Sequence, residues 1–469
     1  MARIVVVGGG LIGLATAVMV AKQGHDVTVL ERDPDPLPNT PRDAWDSWKR
    51  QGVMQFRQPH FLLPQGKRVL DAELPEVVRA LRDADAASYS ALSALPPTLA
   101  DRAPRPGDDK FRTYNARRPV LEHALATVAD KWVETRRGVR AVGLMTSGSR
   151  HVTGVWLHNR RELPAGLVID AMGRASPLPI WLTAAGAGEM SERAEHSGFL
   201  YYSRFFRSRP GEEPPPMLTG TLTPFDCYSV LTVPSDANTW SVTVCIHSRD
   251  RALKALRDEA SWTRLVGASP LHAHLIKGEP VTGVLAAGGV LSRVRHLVSR
   301  GVPAATGILA AGDSWACTNP SLGRGVTFGL MHAVIIAEAV AEHLGQPLAL
   351  SLAYDRLTRE RLAPWYRNSA ALDSQCLTRI AAAIEGRPPR PPGESPDYAA
   401  AVMRDVLTAS ARDADVFRAY LEMMLMLAPP QEIFSRLGIR EKIAAAAAGH
   451  GPPAAPGPSR AEVLKIIRR

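Results

Sequence analysis

The residues with the plainest chemical reading stand at the start of the chain. Gly8-Gly9-Gly10-Leu11-Ile12-Gly13 follows a β-branched run at residues 3–7 and opens an apolar run, and Glu31 lies 18 residues beyond Gly13. That is the G-x-G-x-x-G spacing of a dinucleotide-binding turn between strand and helix. Gly8 permits the tight turn, Gly10 lets a pyrophosphate approach the backbone, and Gly13 allows helix to pack closely on strand. The helix start at Leu11 and Ile12 would turn its N–H groups toward that pyrophosphate. Glu31, with Arg32 beside it, can accept both ribose hydroxyl hydrogens, and an acid there disfavours a 2′-phosphate. NADP is therefore set aside for this cradle, and FAD and NAD remain.

Three further segments carry polar groups at strand ends and helix starts. Ala310-Ala311-Gly312-Asp313-Ser314 follows an apolar run, and six residues after Asp313 begins Asn319-Pro320-Ser321-Leu322-Gly323-Arg324-Gly325, which opens another helix. Val168-Ile169-Asp170-Ala171-Met172-Gly173-Arg174-Ala175-Ser176 ends a strand, and Arg117-Arg118-Pro119-Val120-Leu121-Glu122 begins a helix with proline in its first turn. In this order these segments resemble flavin monooxygenases of the p-hydroxybenzoate hydroxylase and squalene epoxidase type, over residues 1 to about 345. The resemblance implies FAD, with Gly312 and Asp313 at the ribityl chain and the Pro320, Gly323, Gly325 turn against the isoalloxazine ring. It puts Asp170 and Gly173 beside the adenine half and brings Arg118, or its neighbour Arg117, to the cofactor from a helix start. Val139 and Arg324 are placed beside the cofactor as well. N–H groups at a helix beginning near Gly325 would stabilise negative charge on the reduced ring.

Residues 52–63, followed by Gly66, are similar to a segment of flavin monooxygenases and epoxidases that approaches the flavin and the substrate cavity. The resemblance thus implies an FAD-dependent monooxygenase, in which reduced flavin captures O2 as a C4a-hydroperoxide and passes one oxygen to a hydrophobic or aromatic small molecule, by hydroxylation or epoxidation. The cofactor performs that chemistry and the protein positions the substrate and excludes water. No nucleophile or metal is required, and no His/Cys cluster is present to bind one. The catalytic candidates are His60, able to hydrogen-bond flavin or substrate; Arg57, able to meet an anion or simply a carboxylate; and Tyr202, which with Tyr201 and Arg204 begins the aromatic region. Each has a structural alternative, as a loop histidine, an ion-pair partner or strand packing. Isoprenoid reductases share the N-terminal cradle and the D-A-x-G-R-x-S run and stay in contention. The halogenase signature W-x-W-x-I-P is absent, since Trp45 and Trp48 have a different spacing. The D-G motif linked to nicotinamide use is replaced by Asp170-Ala171-Met172-Gly173, so NADH or NADPH is expected as reductant either directly or through a separate flavin reductase.

The elements that must position these residues give an α/β fold. Apolar β-branched runs at 3–7, 26–30, 166–169 and 307–311 read as buried parallel strands. Residues 11–22, 66–84, 119–129 and 325–344 read as helices, 34–60 lack periodicity, and 96–109 form a loop. Aromatic and β-branched residues over 195–285 read as an antiparallel sheet. The expected architecture is a discontinuous, three-part Rossmann-type FAD-binding domain over 1–182 and 286–345, an inserted substrate-binding sheet over 183–285, and a helical C-terminal region over 346–469 interrupted by proline-rich stretches at 387–396 and 452–458.

Composition bounds the rest. The 469 residues are 45% hydrophobic and 22% charged, which excludes disorder, collagen and coiled coil as overall descriptions. Fifty-six Lys and Arg against 46 Asp and Glu leave a net charge of +10. No basic run is interleaved with aromatics, so nucleic acid is not an expected partner, and arginines near an anionic cofactor are the local use of the excess. Cysteines 227, 245, 317 and 376 show no close pairing, as expected in a reducing cytoplasm. Residues 4–21 are apolar, but their glycines argue against a signal or membrane segment. No other stretch reads as a membrane span. Arg440, Lys442, Lys465, Arg468 and Arg469 read as solvated helix rather than a membrane-binding face.

Overall fold

A computed structural model describes residues 1–148, 150–387, 398–453 and 456–468, with backbone alone at 398–400. Most of the proline-rich segment expected at 387–396, part of that at 452–458, and Arg469 lie outside the described residues.

The chain opens with β1 (Arg3–Val7), α1 (Leu11–Ala21) and β2 (Asp26–Glu31). The elements that frame the site follow in order: α2 (Arg118–Ala129), β3 (Glu134–Arg137), β4 (Leu167–Asp170), β5 (Phe199–Arg207), β6 (Tyr228–Ser235), β7 (Thr239–His247), β8 (Leu285–Gly288), β9 (Ile308–Ala310), α3 (Gly325–His343), α4 (Ala363–Ile384), α5 (Ala414–Met424) and α6 (Arg460–Arg468). A parallel sheet runs β9-β4-β1-β2-β3. Ile4, Val5, Val6 and Val7 are all buried, as a parallel strand covered on both faces requires. A second sheet is antiparallel, with β6, β7 and β5 adjacent and β8 also paired to β5.

Two sequence expectations change. The single helix expected over 66–84 is two, Pro64–Glu73 and Pro75–Asp83, because Pro75 has no N–H to continue the ladder and Leu74 leaves helical geometry at φ −136, ψ 54. Contrary to the expectation that no later stretch could span a membrane, α3 is long and apolar enough by length and composition, with 61% of its apolar window buried inside the protein. Its hydrophobicity serves packing on α1: a Cβ on Gly329 would stand 2.4 Å from Ile12, so the two helices approach at van der Waals distance.

The basic C-terminal helix α6 is not free to lie on a membrane through its apolar face. Val463 and Ile467 are buried in a core shared with Trp262 and Phe206. Arg264 Nε donates to Ile466 O at 3.1 Å, and Arg460 pairs with buried Asp250 at 2.6 Å.

Candidate active site

A cavity of about 660 Å³ opens between the carboxyl ends of β1, β2, β4 and β9 and one face of the antiparallel sheet. In open α/β sheets this is the ligand-binding edge. At the β1–α1 turn, Gly8 has φ 112, and a Cβ there would stand 2.4 Å from Ala171 O. A Cβ on Gly13 would stand 1.9 Å from Gly8 O, so only glycine lets α1 start this close to β1. Gly10, the N-cap of α1, has open space on its Cβ side. Neither α1 nor α3 has a side-chain cap, and Gly10, Leu11, Ile12, Gly325 and Val326 all line the cavity. Two helix N-termini therefore present uncapped N–H groups to one space, a setting that favours negative charge.

Beside the cradle is a buried charge cluster. Glu31 accepts from Gly9 N–H at 3.0 Å, Asp33 N–H at 2.8 Å and Arg50 at 2.6 Å. Arg50 also pairs with Asp33 at 3.3 Å and with Glu122. Burial works against the charge on Arg50, but Glu122, Glu31 and Asp33 outweigh it and raise the guanidinium pKa. The other oxygen of Glu122 accepts from Arg118 Nε at 2.9 Å, and Arg118 Nη1 donates to His60 Nε2 at 3.0 Å. Because Arg118 can only donate, His60 carries its proton on Nδ1 and gives it to Gln58 O at 2.9 Å. Burial first, and Arg118 second, lower the His60 pKa to about 3, so the ring is neutral and acts as a link to Arg118. Arg117 is turned elsewhere, into a buried pair with Asp236, so of these two neighbours only Arg118 lines the cavity.

Asp313 lines the cavity from the loop after β9; burial raises its pKa, opposed by Arg118, Arg174 and Arg293. Arg32, Val139, Gly173, Pro320 and Gly323 line it too, while Gly13 and Gly312 lie behind the surface. Gly312, at φ 57, instead leaves room for Ile12, 3.1 Å from where its Cβ would be.

Four sequence assignments are corrected. Arg324 points away from the cavity: its guanidinium donates to Asn368 Oδ1 at 2.8 Å, Ser369 Oγ at 2.9 Å and the carbonyls of Met423 and Met424. Burial lowers its pKa to about 10, with Asp373 opposing. Asp170 is fully buried behind the cavity, accepting from Met172 N–H at 3.0 Å, Ser314 Oγ at 3.1 Å and Ser176 Oγ; it ties the loops after β4 and β9 together. Arg57 donates to the carbonyls of Trp45 and Trp48 and lies over the Trp45 ring at 5.0 Å, so it clamps its own segment. Tyr202 faces the opposite side of β5, in the core with Phe206 and Trp262. Alternation along the strand gives the cavity to Tyr201 and Ser203.

Tyr201 begins a hydrogen-bonded chain absent from the sequence reading. Its hydroxyl donates to Asn319 Oδ1, Asn319 Nδ2 donates to Asp373 Oδ1 at 2.8 Å, and Ser321 Oγ donates to the same oxygen at 2.9 Å. Burial pushes the Asp373 carboxyl up to about 6, against the hydrogen bonds from Asn319 and Ser321 and the charge of Arg324. The turn before α3 is thus fastened to α4. Arg50, Glu122, Asp373 and the sheet residues Ser203 and Thr243 were all missed. Arg50 and Asp373 sit in segments without a motif, and only Glu122, four residues after Arg118, offered an i,i+4 ion-pair signal.

These residues fit FAD: a cradle only glycine can form, an acid at the ribose position, cations beside it, and a second uncapped helix start on the same cavity. Residues 3–44 match the family described as FAD dependent oxidoreductase. Protein Rv3254 of Mycobacterium tuberculosis is 30% identical over 230 residues, 44% of this chain and 45% of that protein, so the match spans less than half the relative's length. Among solved structures, PqsL of Pseudomonas aeruginosa, described as "a probable FAD-dependent monooxygenase", superposes with TM-score 0.60 at 17% identity, covering 82% of this chain and 99% of that one. The myxobacterial chondrochloren halogenase CndH gives TM-score 0.57 at 16% identity, over 95% and 96% of the two chains. The Diels-Alderase PyrE3 gives 0.58 at 17%, over 90% and 80%. The fold is therefore shared with PqsL, CndH and PyrE3, and its first segment matches an FAD dependent oxidoreductase family.

Proposed function

We propose, for a chain with this flavoprotein fold and an FAD-dependent oxidoreductase segment at its start, that the protein is an FAD-dependent monooxygenase acting on a hydrophobic organic molecule. NADH or NADPH would supply electrons, directly or through a separate flavin reductase. The observation that carries this reading is one cavity with two faces: glycine cradle, Glu31 and uncapped helix starts on one side, and a sheet face without formal charge on the other. When bound and reduced, the flavin supplies the chemistry that splits O2, one atom going to substrate and the other leaving as water. The protein's part is placement. The first turn of α1 would hold the pyrophosphate, and Arg118, fixed by Glu122 and His60, would add positive charge near Asp313. The first turn of α3 would face the ring and favour the negative charge it gains on reduction. Leu231, Ala286 and Ala287 line the sheet side and keep water from the reacting atoms.

The test is reconstitution with FAD followed by turnover under 18O2. Stoichiometric flavin absorbance near 450 nm and one labelled oxygen in the product are expected. A protein that takes up no flavin sinks the reading, and substrate turnover under strict anaerobiosis replaces it with an isoprenoid-type reductase.

A further inference from the structure

The sheet side of the cavity is polar without being charged, and its polar groups are already committed in one direction. Ser203 on β5 and Thr243 on β7 are register partners, and Leu231 on β6 pairs with Thr243 on the other side, so the three form one cross-strand row. Thr243 Oγ1 donates to Ser203 Oγ at 2.9 Å, and Ser203 Oγ donates to Gln58 Oε1 at 3.1 Å. That occupies the amide oxygen of Gln58, and the amide N–H groups have no partner among the described residues. Gln58 lines the cavity, and its main chain is held by the His60 ring that also receives Arg118. A hydrogen-bond donor is therefore fixed at the substrate side by the same chain of contacts that fixes the cofactor-side arginine.

The cations lie elsewhere. Arg50 and Arg118 are neutralised by Glu31, Asp33 and Glu122, and Arg32 and Arg140 flank the ribose-side residues Glu31 and Val139. Arg174 stands in the field of Asp313. Arg204 on β5 points to the far face and pairs with Glu259, and Arg57 is spent on carbonyls. A carboxylate against the row of Leu231, Thr243 and Ser203 would be buried without a counter-charge, which is costly. A neutral oxygen needs only the donor that Gln58 offers.

We infer that this site takes an uncharged, largely apolar molecule that presents one hydrogen-bond acceptor, such as a ketone or amide oxygen, to the side-chain amide of Gln58. The inference rests on the flavoenzyme reading above and narrows its substrate class. FAD-loaded protein titrated with 1-acetonaphthone, 1-naphthoate and naphthalene, followed by perturbation of the flavin absorbance, tests it. Acetonaphthone should bind about tenfold or more tightly than either of the others. Gln58→Leu should bring acetonaphthone to within about threefold of naphthalene, leaving naphthalene binding and FAD content unchanged. Naphthoate binding as tightly as the ketone overturns the inference, as does a ketone preference that survives Gln58→Leu in a variant that retains FAD. It is also overturned if none of the three binds FAD-loaded protein below about 1 mM, a dissociation constant already at the weak end for such a site. Failure to take up FAD at all is a separate result, which overturns the flavoenzyme reading itself.

Discussion

Against the parallel sheet, the cavity wall is made of backbone and formal charge: glycines that tolerate no Cβ, two helix starts, and the Glu31–Arg50–Glu122–Arg118 cluster. Against the antiparallel sheet, it is made of small and neutral side chains in a cross-strand row. The first wall suits a ligand whose charges are invariant; the second suits one recognised by shape and a single polar group. The difference shows where tolerance to change should lie. Cradle positions fail through backbone geometry and buried charge, whereas sheet positions alter preference without threatening the fold.

The largest effect tests the cradle itself. Gly13→Ala places a methyl 1.9 Å from Gly8 O, and flavin content per protein should fall below about a tenth of the unsubstituted level. Retention within about threefold would break the contrast between the walls. Glu122→Gln comes next, since it leaves Arg50 and Arg118 without a shared buried counter-charge. Urea unfolding should show a loss of about 3 kcal/mol, as for other broken buried pairs, and a loss below about 1 kcal/mol would mean the cluster is replaceable.

A third prediction concerns pH. Asp373, pushed up to about 6, binds its proton more tightly folded than unfolded, so its contribution to stability is present at low pH and is lost as pH rises through 6. His60, lowered to about 3, works oppositely, with stability present above its unfolded pKa and lost as pH falls through 3. Asp373→Asn should gain on the unsubstituted protein by about 2 kcal/mol between pH 4.5 and 7.5 in paired denaturation curves; parallel curves would show that the carboxyl does not titrate there. The smallest effect is at Tyr202→Phe, whose ring faces the second core. Flavin uptake and ligand preference should stay within about twofold in the same titrations, and a larger change would return Tyr202 to the cavity.

What the sequence disclosed follows the same division. Glycine and acid spacings at 8–13 and 31 encode backbone requirements, and those can be read without knowing neighbours. Residue direction could not be read. Tyr201 and Tyr202 are adjacent, period two sends them to opposite faces, and nothing local says which face the cavity takes. Arg324 sits within a flavin-turn motif, yet its side chain is claimed by Asn368, Ser369 and two carbonyls of α5, partners separated from it by tens of residues. Arg50 lies in the non-periodic stretch at 34–60, where spacing carries no signal, and only folding brings it to Glu122.

Arg324 also sets an order of assembly. It immediately precedes α3, whose first turn faces the cavity, and its side-chain anchors lie on α4 and at the end of α5. During synthesis every cradle glycine is available long before Met424 emerges, so the cavity-facing turn gains its last fastening only when most of the chain exists. A chain cut after residue 362 would keep every recognisable motif and lose this fastening together with Asp373. It should take up FAD more weakly than the full chain; equal uptake would show that the turn needs no late partner.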